Sequence, residues 1–211
     1  MSNAPGHPGA SEWVGLSDHE WVALHVPRFK DIRPRYETYG SFLERLLRHA
    51  CGPLAPEAIV AARAKAISSF AEKILRKRQS YARATGPMPA DPLVRMTDLC
   101  GARVITQTAD EVASVCAFIE KAFDIDWSNS EDVSRRLHAS EFGYRSVHYI
   151  VMVNPDKLMA AGFSIDVPAD LLEPAPLKAE VQVRTLLEHA WAQLVHDRAY
   201  KTDVTLPAGV Q

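Results

Sequence analysis

The chain has 211 residues, of which 47% are hydrophobic, so it can bury one substantial core without disulfides or structural metals. Its formal net charge of -2 gives no overall attraction for nucleic acid or membranes, so phosphate binding would have to come from local clusters of cations. The three cysteines, Cys51, Cys100 and Cys116, show no paired spacing and argue against a disulfide framework. The chain has neither a membrane-spanning run nor the apolar core of a signal peptide. We therefore expect a cytoplasmic protein without a membrane partner.

The first part of the chain is predicted to be helical. Residues 1–12 have the composition of a disordered segment, and Trp13 with Trp21 indicates a short helical segment that packs back onto the body. Apolar residues within 42–47 recur at helical spacing. A longer helix is predicted from about residue 56 to residue 82.

A β-sheet is predicted to follow these helices. Strands are expected near residues 101–107, 123–127, 144–153 and 177–184. A helix is expected between the first two strands, at 109–122, and a final helix at about 185–199. The expected fold class is therefore α/β (α+β), with a mixed sheet, flanking helices and a helical N-terminal flank. We expect one domain over residues 13–202. Residues 203–211 read as a tail or linker, as in the catalytic part of a longer protein.

One face of the predicted helix at 56–82 is cationic and includes a hydroxyl group. Its members, with one arginine just before them, are Arg63, Lys65, Ser69, Lys73 and Arg76. Cationic helix faces are commonly just solvated. This face carries no acidic residue, so its charges would repel one another unless a polyanion such as a triphosphate lay among them.

Two acidic residues stand at the edges of predicted strands. In the alternating segment at 180–184, Glu180, Gln182 and Arg184 share one face, which indicates the wall of a site. Asp98 precedes another apolar strand that contains Arg103. Two carboxylates at strand edges suggest a divalent metal ion.

A third polar set lies on the predicted strand at 144–153. Tyr144, Ser146 and His148 share one face, and a nucleobase would be able to stack on the tyrosine ring. Tyr144 would equally serve as a core aromatic residue and His148 as an interior histidine, so the residues alone leave both interpretations open.

Taken in order, these motifs resemble the RelA/SpoT family, specifically its alarmone synthetase domain, from about residue 40 to residue 202. The matching motifs are Arg63-x-Lys65-x3-Ser69-x3-Lys73, Asp98-Leu99-x-Gly101-x-Arg103, Gly143-Tyr144-Arg145-Ser146-x-His148 and Glu180-x-Gln182-x-Arg184-Thr185. The resemblance implies a nucleotidyltransferase-like fold. It also implies an enzyme that transfers the β,γ-pyrophosphate of ATP to the ribose 3'-hydroxyl of GDP or GTP and releases AMP.

The resemblance also assigns roles to the motif residues. It implies that Arg63 and Arg103 sandwich the adenine, a cation-π arrangement suited to guanidinium groups. It implies that the donor phosphates are held by Lys65, Ser69 and Lys73. It further implies that Asp98 and Glu180 bind Mg²⁺, with Glu180 also the base that takes the acceptor proton.

For the acceptor, the resemblance implies that Tyr144 stacks on the base, with Ser146, His148, Gln182 and Arg184 nearby. The chain departs from the family at Ser140 and Phe142, where many members have lysine and asparagine that serve the acceptor. Arg135 and Arg136 would be able to replace the missing positive charge. GDP or GTP is the first expectation, and an adenosine nucleotide or the 3' end of tRNA remains open. The tRNA case would make the protein a toxin with an antitoxin partner.

Other classes of function fit the sequence less well. An inactive nucleotide sensor would have lost metal ligands or donor cations, and this chain keeps them. His196-Asp197 alone is too little for a metal-dependent hydrolase. Small synthetases of this family often form homo-oligomers, and the sequence leaves the oligomeric state open.

Overall fold

The computed structural model describes residues 15–82, 91–132 and 146–201, with side chains described as far as residue 194. In chain order the elements are α1 (Asp18–Leu54), β1 (Ile59–Ala64), α2 (Ile67–Arg76), α3 (Arg78–Tyr81), α4 (Pro92–Arg95), β2 (Cys100–Thr106), α5 (Ala109–Ala122), β3 (Phe123–Ile125), β4 (Glu131–Asp132), β5 (Val147–Val153), α6 (Pro155–Ala160), a 3₁₀ turn (Ala169–Leu171), β6 (Ala179–Thr185) and α7 (Leu186–Lys201). None of the helices within the described ranges has both the length and the apolar character needed to cross a membrane. The segments predicted to be disordered or a linker lie outside the described residues.

The strands form one mixed sheet in the order β1-β2-β6-β5-β3, and β4 pairs with β5 next to β3. Strands β2 and β6 run parallel, whereas the other pairs are antiparallel. The predicted mixed sheet with flanking helices and a helical N-terminal flank is confirmed. Strand β5 lies inside the sheet, as its apolar sequence predicts.

Helices α1 and α5 pack on one face of the sheet and bury its apolar side chains. The fully or almost fully buried strand residues on this face include Cys100, Ala102, Val104, Tyr149, Val151, Val181 and Val183. Helix α1 adds Trp21, Phe29, Tyr39, Phe42, Leu43, Leu46 and Leu47 to the same core. Two hydrogen bonds fix the orientation of α1: Tyr39 Oη donates to the Val151 carbonyl at 3.2 Å, and Trp21 Nε1 donates to the Ile74 carbonyl at 3.2 Å. The opposite face of the sheet is left to carry polar side chains.

Helix α1 is longer than the two helical segments predicted for this part of the chain. It begins with a capping box, in which Ser17 Oγ accepts from the Glu20 backbone N–H and Glu20 Oε2 accepts from the Ser17 backbone N–H. It then continues through Pro27 and Pro34 to Leu54. Each internal proline removes a backbone hydrogen bond. Burial of the large aromatic residues of α1 supplies the compensating stability.

The predicted helix from residue 56 to residue 82 is wrong over its first part, whereas residues 67–76 and 78–81 are helical. Residues 59–64 instead form β1, which pairs antiparallel with β2 over six residues, and α2 begins only at Ile67. The alanine-rich sequence around Arg63 has high helix propensity, but pairing with β2 outweighs that preference. Arg63 and Lys65 therefore do not share a helix face with Ser69 and Lys73.

Gly40 allows α1 to approach β1 closely. A Cβ atom at this position would lie 3.3 Å from the Arg63 Cα and 3.4 Å from its carbonyl carbon. Because these neighbours are backbone atoms of a paired strand, they cannot move aside as a side chain would. The contact fixes the distance between the helix layer and the strand that carries Arg63.

We predict that Gly40→Val lowers the free energy of unfolding by about 1–3 kcal/mol, because the added side chain overpacks the contact with β1. Urea denaturation followed by circular dichroism measures this change. Ser41→Val is the matched control, since Ser41 is exposed on the same helix, and its effect should stay within about 0.5 kcal/mol. Equal stability of Gly40→Val and wild type would contradict the prediction.

Candidate active site

The pairing register brings polar side chains from separate motifs together on the open face of the sheet. In one row across β1, β2 and β6, Arg63 lies opposite Gly101, which lies opposite Glu180. In the next row, Ala61, Arg103, Gln182 and His148 lie side by side on β1, β2, β6 and β5. Side chains of alternate strand residues point to the same face, so both rows face one space.

This space is a cavity of about 450 Å³, which suits a ligand of nucleotide size. The charged and hydroxyl side chains that line it are Arg63, Lys65, Ser69, Asp98, Arg103 and Glu180. Three of these side chains are cationic and two are anionic, and Lys73 adds a further cation through its contact with Asp98. The excess of cationic over anionic side chains favours an anionic ligand.

Asp98 connects two of the cations. Its Oδ2 atom accepts hydrogen bonds from Lys65 Nζ at 2.8 Å and from Lys73 Nζ at 2.7 Å. Burial raises the pKa of Asp98, but the hydrogen bonds and charges of both lysines outweigh burial, so the pKa lies below its ordinary value. The lysines therefore have an acidic partner from another segment. The sequence predicts a cationic set without acids, and the structure corrects this prediction.

The other oxygen of Asp98 has a different environment. Oδ1 is buried and accepts no hydrogen bond from any residue in the described ranges. The Lys65 backbone N–H donates to the Leu99 carbonyl at 2.8 Å, which ties the end of β1 to the residue after Asp98. An unpartnered carboxylate oxygen beside a cationic cavity is a natural ligand for a divalent cation.

Glu180 faces the same cavity from β6 and contacts a histidine on β5. His148 Nδ1 lies 2.9 Å from Glu180 Oε1. Burial raises the pKa of Glu180, whereas the hydrogen bonds of its carboxylate with His148 and Gln182 lower it, and the net pKa lies below the ordinary value. Glu180 is therefore ionised at neutral pH.

Arg63 and Arg103 stand diagonally across β1 and β2. Each arginine lies opposite a small residue, Gly101 or Ala61, so the space between the two guanidinium groups is open. A Cβ atom at Gly101 would meet only the Glu180 carbonyl oxygen, at 3.9 Å. Glycine inside a strand is destabilising and often marks the close approach of a ligand.

The N-terminus of α2 also opens onto this cavity. Ala66 and Ser69 line the cavity, and the N-cap residue, Ala66, makes no side-chain capping hydrogen bond. Uncapped N–H groups at a helix N-terminus attract anions. The sequence prediction missed this feature because it placed residues 56–82 in one helix. Only a helix boundary recognised just after Lys65, within the alanine-rich segment, would have revealed this helix N-terminus from the sequence.

The structure places some of the predicted acceptor residues at the cavity and buries others. Gln182 lines the cavity and His148 contacts Glu180. Ser146 and Arg184 are only 3% and 4% exposed, so neither is presented on the cavity surface. The other positions considered for acceptor binding lie outside the described residues. They are Arg135, Arg136, Ser140, Phe142 and Tyr144. Arg76 pairs with Glu72 on the exposed side of α2.

Asp98 and Glu180 are the carboxylates at this cavity that are relevant to Mg²⁺ binding. No cluster of three or more histidine, cysteine, aspartate or glutamate side chains suited to a metal ion occurs among residues 15–82, 91–132 and 146–194. Mg²⁺ commonly takes only one or two protein carboxylates and completes its shell with water and substrate phosphates. Asp98 and Glu180, facing one cavity, fit this arrangement better than they fit a permanent metal site.

Comparisons with known proteins found a matching family model and similar proteins. The family model described as "Region found in RelA / SpoT proteins" matches residues 62–205. The GTP pyrophosphokinase YjbM of Bacillus subtilis (strain 168) is 26% identical, over 93% of this chain and 81% of its own. A GTP pyrophosphokinase family protein from Streptococcus pneumoniae superposes with a TM-score of 0.61 and 25% identity, over 87% of this chain and 82% of that chain.

The small alarmone synthetase 1 of Bacillus subtilis has the same fold. Its structure bound to its product pppGpp superposes with a TM-score of 0.59 and 22% identity, over 87% of this chain and 85% of that chain. Its structure bound to AMPCPP gives a TM-score of 0.55 and 20% identity, over 87% of this chain and 84% of that chain.

We predict that Asp98→Asn lowers the free energy of unfolding by about 1–3 kcal/mol at pH 7 in metal-free buffer, because Lys65 and Lys73 lose their shared anion. The pKa of Asp98 is lowered on folding, so its ionised form stabilises the fold above its ordinary pKa of 3.8. That contribution disappears as the pH falls through the folded-state pKa.

Urea denaturation at several pH values measures this effect. The difference between Asp98→Asn and wild type should shrink as the pH is lowered past 3.8. Asp166→Asn is the matched control, since Asp166 is exposed, and it should change little. A difference that stayed constant across this pH range would count against the ionic role of Asp98.

Proposed function

The chain belongs to the RelA/SpoT family, and we propose that it is a pyrophosphokinase that transfers the β,γ-pyrophosphate of ATP to the ribose 3'-hydroxyl of GDP or GTP. The observation that carries the proposal is the convergence of Arg63, Lys65, Arg103, Asp98 and Glu180 on one cavity. The names of the relatives, GTP pyrophosphokinase and small alarmone synthetase, support the same reaction class.

The donor nucleotide is proposed to occupy the space between β1, β2 and α2. Its adenine lies between the guanidinium groups of Arg63 and Arg103, which the small residues opposite them leave accessible. A relative with the same fold has been solved with the ATP analogue AMPCPP, which supports an ATP donor. The planar guanidinium groups also explain why arginine is present at these two positions, since lysine would stack poorly.

The donor phosphates are proposed to lie at the cationic end of the cavity. Lys65, Lys73, Ser69 and the uncapped N-terminus of α2 would contact them there. In the structure both lysines donate to Asp98, so phosphate binding exchanges one anionic partner for another. This exchange leaves Asp98 ionised with both of its oxygens available.

Mg²⁺ is proposed to be held by Asp98 and Glu180 together with phosphate oxygens. When bound, it would neutralise charge on the phosphate chain during transfer. The residues of this chain supply the remaining neutralisation, because the lysines and arginines at the cavity outnumber its acids. Charge neutralisation and positioning are the main requirements of phosphoryl-type transfer.

Glu180 is proposed to accept the proton of the acceptor hydroxyl. The acceptor oxygen attacks the β-phosphorus and forms a new O–P bond. The bond from the β-phosphorus to the oxygen that bridges it to the α-phosphorus breaks. AMP leaves with that oxygen, and the acceptor proton passes to the Glu180 carboxylate. Ionised Glu180 is ready for this role at neutral pH.

The proposed function is tested by incubating the protein with γ-labelled ATP and Mg²⁺ and one acceptor at a time, from GDP, GTP, ADP, ATP and bulk tRNA. We expect label on a guanosine nucleotide. We also expect Glu180→Gln to reduce the rate at least ~10²-fold, because the site loses its base and one charge. Glu57→Gln is the matched control, since Glu57 is exposed before β1.

Each other outcome has a defined meaning. Label on tRNA alone would replace the guanosine acceptor with the toxin-type reaction and would call for an antitoxin partner. Label on ADP or ATP alone would make the protein an adenosine-nucleotide pyrophosphokinase. No transfer to any acceptor, with AMPCPP still bound, would favour a nucleotide sensor.

A further inference from the structure

We propose that His148 positions Glu180 for the reaction and does not primarily bind the acceptor. The inference rests on the proposed function, because Glu180 must be the base for its position to matter. His148 Nδ1 holds Glu180 Oε1 at 2.9 Å. The second carboxylate oxygen, Oε2, is then the one presented to the acceptor hydroxyl.

The contact joins two strands of the sheet interior. His148 pairs in register with Gln182, two residues after Glu180, so the two side chains are diagonal neighbours on the open face. Their side chains are 19% and 23% exposed, which shields the hydrogen bond from water. A site built on paired strands holds its geometry better than one built on loops.

The hydrogen-bond chemistry fixes the tautomer of the histidine ring. An ionised carboxylate can only accept hydrogen bonds, so Nδ1 must carry the proton that it donates to Glu180. The lowered pKa of Glu180 agrees with an ionised carboxylate at this contact. His148 therefore acts as a donor to Glu180 through Nδ1.

The reason Glu180 needs such a partner is the charge around it. Arg63 lies on the same row with only Gly101 between them, and Arg103 lies on the neighbouring row. A flexible glutamate there would be drawn into an ion pair with either arginine, which would occupy both the base and a donor-binding residue. Among the described residues Glu180 makes no such pair, and its carboxylate is held on the β5 side.

Two isosteric substitutions separate this role from acceptor binding. The amide nitrogen of asparagine lies two bonds from Cβ, as Nδ1 of histidine does, whereas that of glutamine lies three bonds away, as Nε2 does. We expect His148→Asn to keep kcat within about tenfold of wild type. We expect His148→Gln and His148→Ala to lower kcat about 100-fold with KM little changed, since a small misplacement of a reacting group costs this much.

The opposite pattern would overturn the proposal. Activity retained by His148→Gln and lost by His148→Asn, or a raised acceptor KM at unchanged kcat, would mean that His148 acts on the acceptor. His19→Gln is the matched control, because His19 is exposed in the first turn of α1. Thermal unfolding of each variant near the wild-type temperature excludes misfolding as the cause.

A second measurement keeps this test separate from that of the proposed function. Nitrogen-15 NMR of the histidine rings reports the tautomer without any turnover, and His148→Gln assigns the signal by its disappearance. We expect the Nδ1–H tautomer in wild type and a shifted Nδ1 signal in Glu180→Gln. An Nε2–H tautomer in wild type would refute the positioning role even if the enzyme transfers pyrophosphate. An Nδ1–H tautomer in a protein that transfers nothing would leave the contact in place and refute its catalytic purpose.

Discussion

The candidate site depends on the parallel pairing of β2 with β6. This pairing sets Gly101 beside Glu180 and Arg103 beside Gln182, although the two segments are far apart in sequence. A shift of one residue would turn the charged side chains into the core. Val104, Val181 and Val183 are fully buried on the opposite face, so the hydrophobic core enforces the register on which the site depends.

The site concentrates cationic side chains that outnumber its acidic ones. Arg63 and Arg103 are exposed, and among the described residues neither has an ion-pair partner, while Lys65 and Lys73 share the single carboxylate of Asp98. Gly101 weakens the strand that carries it. Such departures from the most stable choice are typical of functional sites, where a ligand supplies the missing interactions. Here the missing partner would be a polyanion together with a divalent cation.

The sequence predicts much of this arrangement because its motifs and strand patterns are local. Strand β2 and helix α5 were predicted nearly to the residue, and the alternation in β6 correctly placed Glu180 and Gln182 on one face. The error at β1 has a non-local cause, since only pairing with β2 makes an alanine-rich segment a strand. The carboxylate that pairs with the two lysines was likewise hidden, because sequence spacing does not reveal which segments the chain brings together.

The alternation of apolar and polar residues also did not reveal which polar side chains on the strands are buried. Arg184 follows Gln182 by two residues on β6 and so lies on the same sheet face, as alternation predicts, yet it is buried. Ser146, just before β5, is buried as well. Arg184 stands where β6 passes directly into α7, whose first part packs on β2 and β6. Alternation gives the face of a strand, whereas the elements that cover the face depend on tertiary packing.

The proposed function requires the open sheet face to hold a nucleotide between Arg63 and Arg103. The most direct test is a crystal structure of the protein with AMPCPP and Mg²⁺. The adenine should lie between the two guanidinium groups, with Lys65 and Lys73 moved from Asp98 onto the phosphates. A base located elsewhere, with both lysines still bonded to Asp98, would contradict this placement.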